Sequence, residues 1–392
     1  MGDKANKLTK YPLSEAQKVY LYQDFVVMLH PEAGNIPISI YLDKNIDLEL
    51  LRKALKLEVE RNDSLRLCLK MTLSGVRQIF YPERNLGEIP FDDFTGKSEE
   101  EFFAYVKKYN SKPLKLFRGE GFRLRFFRAP DGRYGIYGIF AHMVMDATAV
   151  LLFYRDLLEV YLALRDGKEL PPPLGRFENV LKREYKIYSD KEWMAKTENF
   201  YKNYLTEGGP SFYAGVDQMR ELKRTREKLR KPDFRAVEII HPFNDGTKTV
   251  KCHVDKELAD AMSAFGKENR LTVQSLFQLG YRTHLSKVNE GAEDVCLFVT
   301  VSRRATVEDR NSGGSRALAQ VLRTIFGREL TFREALKKID ICSLKLYRYP
   351  DFPSLAAVQK QAAWDGISPK YTTLPMLFTF FPKELVVLPK GV

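Results

Sequence analysis

The spacing of apolar residues switches repeatedly between helical and extended periods. Asp47 precedes Leu48, Leu51, Leu55 and Val59, which predicts a capped helix to about Arg61. Ser14 and Gln17 form a capping-box pattern, so another helix starts at Ser14. Ile38, Ile40 and Leu42 alternate as one face of a short strand. Ser64–Met71 and Val76–Tyr81 read as paired strands, and Glu99–Tyr109 as a helix. Phe122–Arg128 and Tyr134–Ala141 flank Asp131-Gly132, a hairpin signal. From Ala147 to Leu164, Val150, Phe153, Tyr154, Leu157, Leu158 and Tyr161 mark the buried side of a long helix.

Further along, Lys248–Val254 alternates, with Val250, Cys252 and Val254 expected inward. Helices are expected from Asp255 and over Thr272–Leu285, and a strand over Val295–Val301. A capping box at Thr331 and Glu334 opens one more helix. Hairpins interspersed with strand–helix alternation predict an α/β protein with mixed sheets. The proline run Pro171-Pro172-Pro173 is the candidate boundary between two lobes, 1–175 and 176–392.

Composition changes this picture little. A chain of 392 residues with 44% hydrophobic and 29% charged residues excludes disorder as its main theme. The longest apolar runs fall far short of a bilayer span, and the polar first twenty residues resemble no secretory signal. Cys68, Cys252, Cys296 and Cys342 form no paired motif, which argues against a disulfide framework or a thiolate zinc site and fits a reducing cytoplasm. The net charge of +12 favours acidic or phosphorylated partners without identifying them. One basic segment, Arg220–Arg235, carries eight basic and three acidic residues. It lacks the interleaved aromatics that stack bases, so it reads as a solvated face rather than a nucleic-acid site.

Candidate chemistry centres on His142 and Asp146, at the junction between the strand ending at Ala141 and the helix from Ala147. Such junctions expose side chains at sheet ends. A neutral imidazole there can take a proton from a nucleophile and return it to a leaving group. The competing reading is structural, because Asp146 is equally well placed to cap the helix. Spacing alone leaves both open. His30, His241, His253 and His284 have no companion residues, and no HExxH, EF-hand, GxGxxG or GxSxG pattern occurs. The glycine loop Asn311-Ser312-Gly313-Gly314-Ser315 lacks the lysine of a phosphate-binding loop.

The order of these features resembles the condensation-domain superfamily of acyltransferases, two-lobed proteins related to chloramphenicol acetyltransferase. Tyr11-Pro12-Leu13-Ser14 with Gln17 is similar to the family's opening YPLSxxQ. Arg61-Asn62-Asp63-Ser64-Leu65-Arg66 is similar to RHxxLR, and Ala141-His142 through Asp146-Ala147 to HHxxxDG. Thr272-Val273-Gln274 and Val301-Ser302-Arg303-Arg304 resemble the TxQ and VSGR segments of the second lobe.

The resemblance implies two chloramphenicol-acetyltransferase-like lobes with a channel at their interface. It implies an acyl group moved from a CoA or carrier-protein thioester to a hydroxyl or amine, as in nonribosomal peptide synthesis. His142 would be the general base and Asp146 a structural partner of Arg66. Ala147 and Arg304 would line the substrate channel. No cofactor is permanently bound and no metal site is implied; acyl-CoA or a phosphopantetheine thioester is a co-substrate. Partners would be a small-molecule acceptor and an acidic acyl- or peptidyl-carrier protein, with no nucleic acid and no membrane span. Ala141 stands for the motif's first histidine, Ala147 for its glycine and Asn62 for the histidine of RHxxLR. The resemblance ends near Pro382, before the family's last strand, helix and DFGWG-like region. A non-catalytic binding or scaffold protein of the same fold is the alternative these departures suggest.

Overall fold

Ser14 caps α1 (Glu15–Val26), with Gln17 reciprocating: its backbone N–H donates to Ser14 Oγ at 3.1 Å, and its Oε1 accepts the Ser14 N–H at 2.8 Å. A computed structural model describes residues 8–26, 31–209, 218–234, 249–368, 376–382 and 385–392 of the chain. His30 and His241 lie outside the described residues. After α1 come β1 (Asn35–Tyr41), α2 (Leu48–Arg61), β2 (Leu67–Thr72), β3 (Gly75–Phe80), β4 (Phe91–Asp93) and α3 (Glu99–Asn110). The hairpin β5 (Phe122–Arg128) and β6 (Tyr134–Ala141) follows, then α4 (Ala147–Arg165) and α5 (Phe177–Ser189).

The chain forms two units. The first comprises Met1–Ser189, Ser302–Ala317 and Pro382–Val392. Its main sheet runs β1-β6-β5-β4, antiparallel except for the parallel β4–β5 pair, and β2–β3 form a separate hairpin. The core lies between this sheet and α2 and α4: Leu51, Leu55, Phe140, Val150, Phe153, Tyr154 and Leu157 are fully buried. The six residues expected on the buried side of α4 are buried, and Ala149, Leu152, Asp156, Val160 and Ala163 are buried with them.

The second unit comprises Asp190–Val301 and Leu318–Phe381. It contains α6 (Lys191–Thr206), α7 (Gln218–Leu229), α8 (Lys256–Asn269), α9 (Val273–Val288) and β7 (Asp294–Val301). The short α10 (Val307–Arg310) belongs to the first unit's returning segment. β8 (Leu318–Ile325), α11 (Phe332–Arg348), α12 (Ser354–Trp364) and β9 (Leu377–Phe378) complete the second unit. β7 pairs antiparallel with β8 and parallel with β9, so this sheet too is mixed. Its core gathers Tyr201, Tyr204, Leu297, Val299, Leu346 and Phe352.

Three expectations need correction. The division between units does not fall at 175: α5 stays with the first unit, because Phe177, Val180 and Leu181 join its core and Asp63 accepts the N–H groups of Phe177 and Glu178 at 2.9 and 3.0 Å. The segments 302–317 and 382–392 also return to that unit. Second, β2 begins at Leu67 rather than Ser64. Asn62 ends α2 and its side chain accepts the Ser64 N–H at 3.2 Å, winding Asp63–Arg66 into a 3-10 turn. Third, the described residues 249–254 form no strand, and Val250 is 84% exposed. Alternation creates an apolar face, but a strand needs a partner to pair with and a surface to cover that face. The charged Arg220–Arg235 stretch contains α7, a helix with Leu222 buried and most of its charges in solvent.

Gln17 does more than cap α1. Its Nε2 donates to the Met143 carbonyl and to Gln78 Oε1, both at 2.9 Å, while its Oε1 accepts from Gln78 Nε2 at 2.8 Å. Gln78 Nε2 also reaches the Pro12 carbonyl at 2.7 Å. Both amides are fully buried and each polar atom is met. Gln17→Leu takes the partner from Gln78 Oε1, the Met143 carbonyl and the Ser14 N–H, while Gln78 Nε2 keeps the Pro12 carbonyl. A loss of about 2–4 kcal/mol is expected in urea unfolding, because each orphaned buried group costs about 1–3 kcal/mol.

Candidate functional site

Two backbone contacts hold the turn that follows β6. The His142 N–H donates to the Gly34 carbonyl at 2.8 Å, and the Met143 carbonyl is held by Gln17. The turn ends at Asp146, the N-cap of α4, whose Oδ1 accepts the Ala149 N–H at 2.8 Å. Both readings of Asp146 thus converge on structure, and its environment extends further than a cap. The residue is only 3% exposed. Arg304 Nη2 donates to Oδ1 at 2.9 Å and Oδ2 at 3.1 Å, and the N–H groups of Arg316 and Ala317 reach Oδ2 at 3.0 and 3.1 Å. Burial pushes the Asp146 carboxyl up, but Arg304 and the backbone donors outweigh it and hold the group below its usual range.

The expected partner of Asp146 was Arg66, and the structure assigns Arg304 instead. Arg66 closes the α2–β2 turn: its Nε donates to the Tyr81 carbonyl at 2.9 Å and its Nη1 to the Val59 carbonyl at 2.7 Å. It sits just past the C-terminus of α2, where orphan carbonyls await donors. Nor does Arg304 lie open to a channel. It is buried, and its Nη1 donates to the carbonyls of Asp309 and Ser312 at 2.9 and 2.6 Å. A guanidinium taken out of water requires a carboxylate, which Asp146 supplies.

Arg304 is one of three buried arginines on the returning segment. Arg303 Nη2 donates to Glu184 of α5 at 3.0 Å, and Glu184 accepts the Glu15 N–H of α1 at 2.7 Å. Arg316 pairs with Asp309 at 2.8 Å, as does Arg183 at 2.6 Å. Burial works against the Asp309 charge, yet Arg316 and Arg183 bring its pKa down to about 2. Arg303 has φ 57°, a left-handed conformation that costs an L residue about 1–2 kcal/mol. That kink turns two consecutive arginines towards different carboxylates.

The glycine loop at 311–315 packs against the same motif. The Asp146 N–H faces the Gly314 carbonyl at 3.4 Å. Gly314 has φ 85°, and a Cβ there would lie 2.1 Å from the Phe177 ring. A Cβ on Gly313 would lie 2.4 Å from Ser64 Oγ. Close approach, not phosphate binding, explains both glycines. Sequence reading missed Gln78, Glu184, Asp309 and Arg316, which lie far apart along the chain and carry no motif of their own.

His142 lines a small recess of ≈ 20 Å³ together with Tyr20, Asn35, Leu114, Leu116 and Met143. Ala147 does not line it; this residue opens α4 without a positive φ, so the backbone there does not demand the glycine of the motif. His142 Nδ1 is buried without a hydrogen bond among the described residues. Burial lowers the imidazole pKa below 6.5, against opposing pulls from the Asp146 charge and the residue's own carbonyl. The ring is therefore mostly neutral near pH 7. Among the described residues, no group of three His, Cys, Asp or Glu could hold a metal ion, and no helix is long and apolar enough to cross a membrane.

Fold and motif define the class: two α/β units with mixed sheets and a histidine on a strand-to-helix turn. The Condensation domain family profile matches residues 7–362, and the chain belongs to that family, whose members are acyltransferases forming amide or ester bonds. Among curated proteins it is 23% identical to Bacitracin synthase 3 of Bacillus licheniformis over 94% of its own length and 5% of that protein's. It is 24% identical to Tyrocidine synthase 3 of Brevibacillus parabrevis, covering 89% of this chain and 5% of the relative. The chain thus spans a small part of these synthases. Among solved structures, the first condensation domain of the calcium-dependent antibiotic synthetase, in complex with a substrate analogue, superposes with a TM-score of 0.73 at 19% identity, covering 90% of this chain and 77% of that one. The starter condensation domain of rhizomide synthetase, solved with C8-CoA, gives 0.74 at 17% identity over 95% of this chain and 79% of that one. These superpositions establish the two-lobed chloramphenicol-acetyltransferase-like fold.

The pairing of Asp146 is open to a double-mutant cycle. Asp146→Ala and Arg304→Ala each leave one buried charge alone, so each is expected to cost about 3–5 kcal/mol in chemical denaturation. Their effects should be strongly non-additive. Arg66→Ala combined with Asp146→Ala should add to within about 0.5 kcal/mol. Coupling in the second pair but not the first would reverse the assignment.

Proposed function

We propose that this chain transfers an acyl or peptidyl group from a thioester to an amine or hydroxyl acceptor, with His142 as general base. The thioester is carried on the phosphopantetheine arm of a carrier protein or on CoA. Membership of the condensation-domain family supports the reaction class. The observation that carries the assignment is the neutral imidazole lining a small recess, on a turn fixed at both ends. Nε2 takes the proton as the acceptor nitrogen or oxygen attacks the thioester carbonyl. The tetrahedral intermediate collapses by breaking the C–S bond, and the imidazolium returns the proton to the departing thiolate. Proton transfer of this kind is worth about 10²–10⁴-fold in rate. Relatives named as bacitracin and tyrocidine synthases, and a neighbour solved with C8-CoA, make both donor classes reasonable substrates. The net charge of +12 suits the phosphates of CoA and the acidic surface of a carrier.

The test is thiol release from a panel of acyl-CoA and acyl-phosphopantetheine thioesters, with amine and alcohol acceptors. His142→Ala should lose about 10²-fold or more in kcat while its melting temperature stays within a few degrees of wild type, since the imidazole makes no side-chain hydrogen bond among the described residues. In the wild type, kcat/KM should fall on acidification through a midpoint below 6.5, because burial delays protonation of the base. Turnover by His142→Ala at the wild-type rate would refute the assignment. A wild type inert towards every thioester would favour a binding protein of the same fold.

A further inference from the structure

Catalytic histidines are commonly held in orientation by a hydrogen bond from the nitrogen that does not meet substrate. His142 lacks that device: Nδ1 has no hydrogen bond among the described residues, and the Asp146 oxygens are directed at Ala149, Arg304, Arg316 and Ala317. What lies against the ring is Tyr20. The two ring centroids are 3.7 Å apart and the planes 19° from parallel. Tyr20 shares a face of α1 with Gln17, three residues earlier. Gln17 grips the carbonyl of Met143, the residue after His142. One helix face thus clamps the backbone of the turn with an amide and its side chain with a ring.

We propose that Tyr20 is a positioning residue for His142, fixing the imidazole plane by stacking where other sites use a hydrogen bond. This rests on His142 being the general base. Stacking leaves the ring edge, and with it Nε2, available while covering one face from water. Tyr20 itself is no acid or base near neutrality, because burial and the nearby Asp146 charge raise its phenol pKa well above the ordinary value. Asp146, whose charge acts on the imidazole, and Tyr20, stacked against it, both keep their charge between pH 5 and 8. Loss of the stacked ring therefore acts on His142 through hydration and orientation.

The experiment compares Tyr20→Ala and Tyr20→Phe in the full chain, following the His142 ring by NMR titration alongside the pH dependence of kcat and KM. The Tyr20→Ala midpoint should rise towards ~6.5, and the acid limb of kcat/KM should move up with it. Misorientation should lower kcat about 10-fold to 100-fold with KM nearly unchanged, and Tyr20→Phe should rescue both effects. If Tyr20→Ala does not fold, Tyr20→Leu keeps bulk without an aromatic face and carries the same expectation. An unchanged titration in the alanine or leucine variant, or a phenylalanine variant as impaired as the alanine one, overturns the proposal. Should the wild type transfer no acyl group, the base assignment fails, and the titration alone decides whether the ring holds His142.

Discussion

A carboxylate removed from water persists only where charge and hydrogen bonds replace its hydration, and Asp146 is such a group. Its two oxygens gather a guanidinium and three backbone N–H groups, supplied by the first turn of α4 and by the segment 302–317. The turn carrying His142 ends on this carboxylate. Without it, the N-terminus of α4 loses its cap, Arg304 becomes a lone buried cation, and nothing ties 316 and 317 to the motif. The order of the turn therefore depends on an ion pair between residues 158 positions apart.

The surrounding residues make that arrangement self-consistent. Three buried arginines meet three carboxylates, and the left-handed Arg303 lets neighbouring side chains diverge to Glu184 and Asp146. Gly313 and Gly314 allow the returning loop to press against Ser64 and Phe177. On the other side, Gln17 holds the Met143 carbonyl through a fully satisfied amide pair. The turn is gripped from both ends, while the imidazole remains free of side-chain hydrogen bonds among the described residues. A rigid support and an unencumbered ring are what a positioned base requires.

Local signals were legible in the sequence. Capping boxes at Ser14 and Thr331, the N-cap at Asp47, the Asp131-Gly132 hairpin and the α4 stripe all rest on contacts within a few residues. His142 was visible because the junction and the family motif coincide. The partner of Asp146 was not, because a buried arginine is chosen by tertiary geometry, and the sequence contains several within reach of a fold-level argument. The unit boundary misled for a related reason: a proline run marks where a helix stops, not where a core ends, and α5 carries the apolar face that keeps it in the first unit. The alternation at 249–254 had the right period but lacked a partner among the described residues.

Family membership gives the kind of chemistry, and the proposed base for it is His142. The most direct measurement is a structure of the protein with an amine-bearing, non-hydrolysable thioester analogue. The account predicts the amine nitrogen within about 2.6–3.2 Å of His142 Nε2, the thioester carbonyl beside it, and the Asp146–Arg304 pair intact. An analogue bound productively with its amine out of reach of His142 would contradict it.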